Sequence, residues 1–165
     1  MKTKILAVDL GWGGAAAFQI DDTIGVKDCP GDCWGILSFL GVLMRRYGKE
    51  DWDIVLEANG PSPTFGAKGN FGLALNIGSW ETALASFELS WESINPKTWQ
   101  KVCSNVRSKT RNGRKMRKEK AWRYARTQFP FFQEELGDKV PSVTNPKQGR
   151  ADALCILEWR RKQDG

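Results

Sequence analysis

The start of the chain constrains it most. Lys4-Ile5-Leu6-Ala7-Val8 runs apolar into a single carboxylate, Asp9, and then into Leu10-Gly11-Trp12-Gly13-Gly14. A continuous apolar run suits a strand buried on both faces; a half-exposed strand would alternate. The glycines suit a tight turn where another backbone or a ligand comes close. Asp9 thus stands where a buried sheet meets a sharp turn, from which a carboxylate can hold a metal ion. Asp and Gly are also ordinary turn residues, so the acids further along decide between the two.

Bulk properties remove several function classes. At 165 residues the chain suits one domain, 1–165, with a real core, and is too short for two lobes. No run is long enough to cross a membrane and no leader pattern opens the chain, which predicts a soluble, cytoplasmic protein. The four cysteines lack a second zinc-like pair and fit reduced thiols. There is no histidine. That excludes the commonest general base and every His-containing triad. Hydrolysis would have to rest on carboxylates, metal ions, Lys, or a bare Ser or Cys. Residues 97–126 hold twelve Lys or Arg against one acid, Glu119, although the net charge is only +6. One dense basic segment inside an otherwise acidic chain has the character of a polyanion binder.

Residues 4–10, 15–20 and 23–27 read as three strands joined by tight turns, an antiparallel meander. Asp32 is a candidate N-cap for a helix over 34–47. Trp34, Leu37, Leu40, Val42 and Met44 leave that helix little polar face, so deep packing is expected. Residues 53–57 form a second apolar strand ending in a carboxylate, Glu57. The intervening helix makes a crossover, so this strand can lie parallel beside the first. Asp9 and Glu57 would then end neighbouring strands about 4.8 Å apart, close enough to share a divalent ion.

Residues 58–72 are rich in Gly, Pro and Asn and read as a loop carrying Phe65 and Phe71. Such rings stack on unpaired bases when exposed and anchor the loop when buried. A helix over 73–87 follows, with Leu75, Ile77, Trp80, Ala83, Leu84 and Phe87 as its inner face. Then come a strand over 90–94, a short helix over 96–102, and a polar basic stretch over 104–115 expected to be mobile until it meets a partner. A basic helix over 116–128, a brief helical piece over 131–136, a loop over 137–149 and a helix over 150–161 complete the chain. Asp152 falls in the first turn of the last helix, where an acid complements the dipole. Its alanine neighbours would let that helix approach the sheet closely.

The order β-β-β-α-β-α-β-α, with acids on the first strand, the fourth strand and the last helix, is the layout of the ribonuclease H-like fold. It predicts a five-stranded mixed sheet, three strands antiparallel and the rest parallel, flanked by helices. Ala7-Val8-Asp9-Leu10-Gly11, Leu56-Glu57 and Ala151-Asp152-Ala153-Leu154 resemble the RuvC-type Holliday junction resolvases, in particular their phage and organelle-like branch. Ile94-Asn95-Pro96-Lys97-Thr98-Trp99-Gln100-Lys101 is similar to the family's Pro-x-x-Trp-Lys stretch. Lys118-Glu119-Lys120-Ala121, followed by Gln128-Phe129-Pro130, looks like its downstream lysine-bearing helix. One position departs: the family often has a second acid three residues before the helix Asp, and Gly149 stands there. Glu119, Asp138 and Glu158 are the acids left to substitute.

The resemblance implies a homodimeric endonuclease that nicks four-way DNA junctions in pairs with Mg2+ or Mn2+, two ions, and no small-molecule cofactor. A two-metal site needs no histidine. Asp9 would bridge both ions while Glu57 and Asp152 each hold one. Lys118 would neutralise charge developing at the phosphorus. Lys101 would assist, with Gln100 competing for its place in the pattern. Lys97, Arg107, Lys109, Arg111, Arg114, Lys115, Arg117, Lys120 and Arg123 would bind phosphates, and Phe65 or Phe71 would wedge into the junction centre. The dimer contact is expected on the helices carrying Trp34 or Leu73. The setting implied is a prokaryotic or phage-infected cell, or an organelle. Rival readings are a fork or flap nuclease of the same fold, a junction-binding protein that does not cut, and a sugar-kinase or actin-like ATPase. The last needs two lobes.

Overall fold

A computed structural model describes residues 4–11, 13–58, 60, 61, 63–103, 111–142 and 145–163. The first apolar run is β1, Lys4–Val8. It is followed by β2, Ala15–Ile20, and β3, Thr23–Asp28. α1, Cys33–Tyr47, crosses to β4, Trp52–Glu57. After α2, Gly66–Ser86, come β5, Glu92–Ile94, and α3, Pro96–Cys103. α4, Arg111–Gln128, the short α5, Gln133–Leu136, and α6, Pro146–Arg161, close the order.

The strands form one five-stranded sheet in the order β3-β2-β1-β4-β5. β1, β2 and β3 pair antiparallel, while β4 is parallel to both β1 and β5. This is the expected mixed sheet, with β1 at its centre. Its two faces carry separate cores. Leu6, Val8, Ile54 and Leu56 pack under α1 and α2. Ile5, Ala7, Ala15, Ala17 and Val55 pack under α6 with Trp99 and Trp122. Period-2 alternation sends successive β1 residues to opposite faces, and burial of both faces explains the unbroken apolar run. Trp122, one of two aromatics set among the basic residues of α4, belongs to this core, its Nε1 donating to the Leu136 carbonyl at 3.0 Å.

Several boundaries differ from expectation. α1 is capped as predicted, Asp32 accepting from the Gly35 N–H at 2.7 Å. Its Trp34 and Val42, however, are exposed rather than packed. α2 begins at Gly66, not 73, so Phe71 lies on a helix rather than a loop. The residues from 66 to 72 bury nothing fully, and helix continuity from the packed half (Leu73, Trp80, Ala83, Leu84) carries them. Leu75, expected inside, is exposed. β5 is shorter than the expected 90–94, and α4 starts five residues earlier than 116. α6 starts at Pro146 instead of 150, with Asn145 accepting from the Lys147 N–H at 2.9 Å and Pro146 in the first turn. Asp152 is therefore in the second turn, away from the helix terminus.

Candidate functional site

The site grows from the β1–β4 register. Val8 stands opposite Leu56, so the next residues along both strands, Asp9 and Glu57, are neighbours at the sheet's end. Ile5, Ala7 and Val55 face α6, and the alternation aims Asp9 and Glu57 to the same side. Both acids are buried, and the charge of Asp9 acts on Glu57. The turn after β1 fixes Asp9. Its N–H donates to the Ala15 carbonyl at 2.9 Å, its Oδ1 accepts from the Gly11 N–H at 3.0 Å, and its carbonyl accepts from Cys29 Sγ at 3.6 Å. A Cβ at Gly14 would fall 2.1 Å from the Asp9 carbonyl oxygen, so the turn closes only with glycine.

α6 brings the third acid. Asp152 is 1% exposed and near enough to Asp9 to feel its charge. The helix comes this close because Gly149 rests on the turn: a Cβ there would sit 1.7 Å from the Gly13 carbonyl oxygen. The residue that breaks the family pattern is thus a packing glycine. No other acid takes its place among the described residues. Glu119 pairs with Arg123, Asp138 is exposed and pairs with Arg126, and Glu158 pairs with Arg161 and Lys162.

Lys118 of α4 completes the cluster, its ammonium paired with Asp152 Oδ2. Gln148 donates from Nε2 to Asp152 Oδ1 at 3.0 Å and to the Lys118 carbonyl at 3.3 Å. Both carboxylate oxygens of Asp152 are thereby occupied. The electrostatics follow from crowding. Burial, then the charge of Asp9, holds the Glu57 carboxyl well above its ordinary value, with Lys118 opposing. Burial pushes Asp152 up to about 6, Lys118 again pulling down and Asp9 pushing up. Burial alone would lower the Lys118 ammonium, but Asp152, Asp9 and Glu57 together outweigh it and raise it.

Three hard oxygen donors suit a cation such as Mg2+ or Mn2+. Burial first, and then the neighbouring carboxylates, raise Glu57 and Asp152, and a cation would offset both. As the side chains stand, no group of three His, Cys, Asp or Glu among the described residues is arranged to hold a metal. Lys118 supplies the positive charge there, paired with Asp152 Oδ2.

The other expected residues divide. Lys101 is exposed in the last turn of α3, and the cation acting on Glu57 and Asp152 is Lys118. Phe71, 71% exposed, and Phe65 are surface rings. Lys97, Lys115, Lys120 and Arg123 are exposed, Arg123 paired with Glu119, and Arg117 is half-buried. Arg111 and Arg114 lie on α4. Arg107 and Lys109 lie outside the described residues. Gln148 escaped the sequence reading. The signal was present: Asn145-Pro146 is a helix-start pair, and Gln148 and Asp152 four apart then share a helix face.

The fold is an α/β one of ribonuclease H-like layout, with three acids buried where β1, β4 and α6 meet and the half-buried Lys118 of α4 beside them. Solved structures then give a particular likeness. Thermus thermophilus RuvC in complex with Holliday junction substrate matches with a TM-score of 0.56 at 10% identity, over 97% of this chain and 96% of that one. The Thermus thermophilus RuvC structure matches at 0.55 and 10%, over 98% and 97%. At this identity the likeness is one of fold. No protein-family profile and no curated protein matches the sequence. No helix among the described residues is long and apolar enough to cross a membrane.

Proposed function

We propose that this chain is a divalent-metal-dependent endonuclease that cuts branched DNA, with the four-way junction as its substrate. The observation that carries the proposal is the burial of Asp9, Glu57 and Asp152 together, beside Lys118, at the end of the parallel strand pair. Buried acids such as Glu57 and Asp152, whose proton affinity burial raises, destabilise a fold, and a site that binds cations is the reason to keep them. The shared fold with a RuvC seen on a Holliday junction supports the choice of substrate.

Two divalent ions, when bound, supply an activated water and stabilise the leaving oxygen. Asp9, Glu57 and Asp152 would hold these ions, Asp9 being the acid whose charge acts on both of the others. Lys118, released from Asp152, can turn its charge to the scissile phosphate. Lys101, at the end of α3, would assist from solvent. Exposed Lys97, Lys115, Lys120 and Arg123, with Arg107, Lys109, Arg111, Arg114 and Arg117, would hold the DNA arms through their phosphates. Phe65 and Phe71 would stack on bases at the opened centre. A homodimer would match the junction's two-fold symmetry, and the exposed Trp34, Val42 and Leu75 on α1 and α2 favour that side of the sheet as its contact.

The deciding experiment is cleavage of an end-labelled four-way junction in Mg2+ or Mn2+, comparing the native chain with Asp9→Asn. Paired symmetric nicks that vanish in Asp9→Asn are expected. Equal cutting of forks and flaps would widen the substrate class. Tight binding with no cutting in either metal would leave a junction-binding protein, a reading that Lys118 seated on Asp152 favours.

A further inference from the structure

The most unusual polar group outside the three acids is Gln148. It is 1% exposed, and its Oε1 is buried with no hydrogen-bond partner. Its orientation is fixed by chemistry. Nε2 faces two acceptors, Asp152 Oδ1 and the Lys118 carbonyl. Turning the amide over would point Oε1 at both and lose both bonds. Oε1 is therefore the orphan, bonded to the same carbon as a nitrogen 3.0 Å from a candidate metal ligand. A buried carbonyl left unpaired is costly, and a purely structural contact to Asp152 would need only the nitrogen. Gln148 also immediately precedes Gly149, where close packing on Gly13 excludes any side chain.

We infer that Gln148 takes the part of the missing fourth acid: it orients Asp152 through Nε2 and offers Oε1 as a neutral oxygen to the water shell of a divalent ion. This inference rests on the proposed metal site and deepens it. Three acids and one amide give a less negative site than four acids. Weaker ion binding, and a larger share of each ion's shell left to water and substrate phosphate, follow from that charge count. Gln148 is a positioning residue and does not touch the reacting atoms.

The test is Mn2+ binding alone, with no DNA, followed by titration calorimetry and electron paramagnetic resonance on the full chain at pH 8. Gln148→Met keeps the length and removes both polar atoms. Outer partners of metal ligands typically account for about 10- to 100-fold in affinity, so a loss of roughly tenfold is expected with the fold intact by circular dichroism. Gln148→Glu adds a charge in place and should bind Mn2+ more tightly than the native chain. If the Met variant does not fold, the Glu variant decides alone. Affinities within twofold of native in the folded variants would overturn the inference, because a structural glutamine would leave them unmoved. Asp9→Asn is the control that separates the two claims. If it too leaves Mn2+ binding unchanged, the metal site itself fails. If it abolishes binding while the Gln148 variants match native, only the role of Gln148 fails.

Discussion

Asp152→Asn should make the metal-free protein more stable. Asp152 titrates near 6 in the folded chain against an ordinary 3.8, burial being the main cause. A carboxyl whose folded pKa lies above its unfolded one is held protonated by folding. Native stability therefore falls as pH rises through that window and stays low above it. The rise from 3.8 to about 6 amounts to a penalty on the order of 3 kcal/mol above pH 6. Asn removes the charge and keeps the shape; Asp152 is the largest support of the Lys118 ammonium, and Asp9 remains to oppose its charge. For a chain of this size the gain corresponds to roughly 6–12 °C in Tm. It should be measured by thermal unfolding with chelator at pH 8 and again at pH 4, where the difference should vanish. Mn2+ at a thousandfold excess over Kd should reverse the order, since a ligand then adds about 4.1 kcal/mol to the form that binds it. If Asp152→Asn melts below the native chain at pH 8 in chelator, the Lys118 pair is a net stabiliser and the idea of a strained site is refuted.

Further predictions follow from the same geometry. Gly149→Ala places a methyl inside van der Waals distance of the Gly13 carbonyl; overpacking of this kind costs about 1–3 kcal/mol or more, read as a lower urea midpoint. Gly149→Asp should destabilise as well and not improve Mn2+ binding. Phe71→Ala removes an exposed ring and should leave Tm within about a degree while slowing junction cleavage, since truncation of a surface side chain alters the fold little. Lys115→Ala with Lys120→Ala should weaken junction binding and flatten its salt dependence, each lost phosphate contact lowering the slope of log K against log salt by about one. Trp34→Glu combined with Leu75→Glu should give a monomer by light scattering, with Mn2+ affinity retained.

Much of the scaffold was legible because burial leaves a direct mark on sequence. A strand covered on both faces reads as an unbroken apolar run, and both β1 and β4 do. Each run ends in an acid, and a helix between them enforces the parallel pairing that sets Asp9 beside Glu57. Less legible were the elements held by tertiary contact. The first turns of α2 bury nothing fully and are rich in glycine, so local propensity gave no reason to extend the helix back to Gly66. Trp34, Val42 and Leu75 are apolar by type, and only the packing decides that they face outward.

The division at the site has the same physical origin. Sequence alone determined which groups are available: carboxylates at two strand ends and on one helix, no histidine, and a lysine-rich helix that supplies the compensating charge. Tertiary structure decided which of them meet. Lys118 reaches Asp152 across 34 residues, and Gly149 lets α6 lie on the Gly13 turn, a contact between segments more than a hundred positions apart. Distances between elements arise from how their faces pack, and no periodicity within a single element records them. Gln148 shows the boundary between the two. Its spacing from Asp152 is a property of the helix, but its buried, unpartnered oxygen exists only because α4, α6 and the end of the sheet close around it.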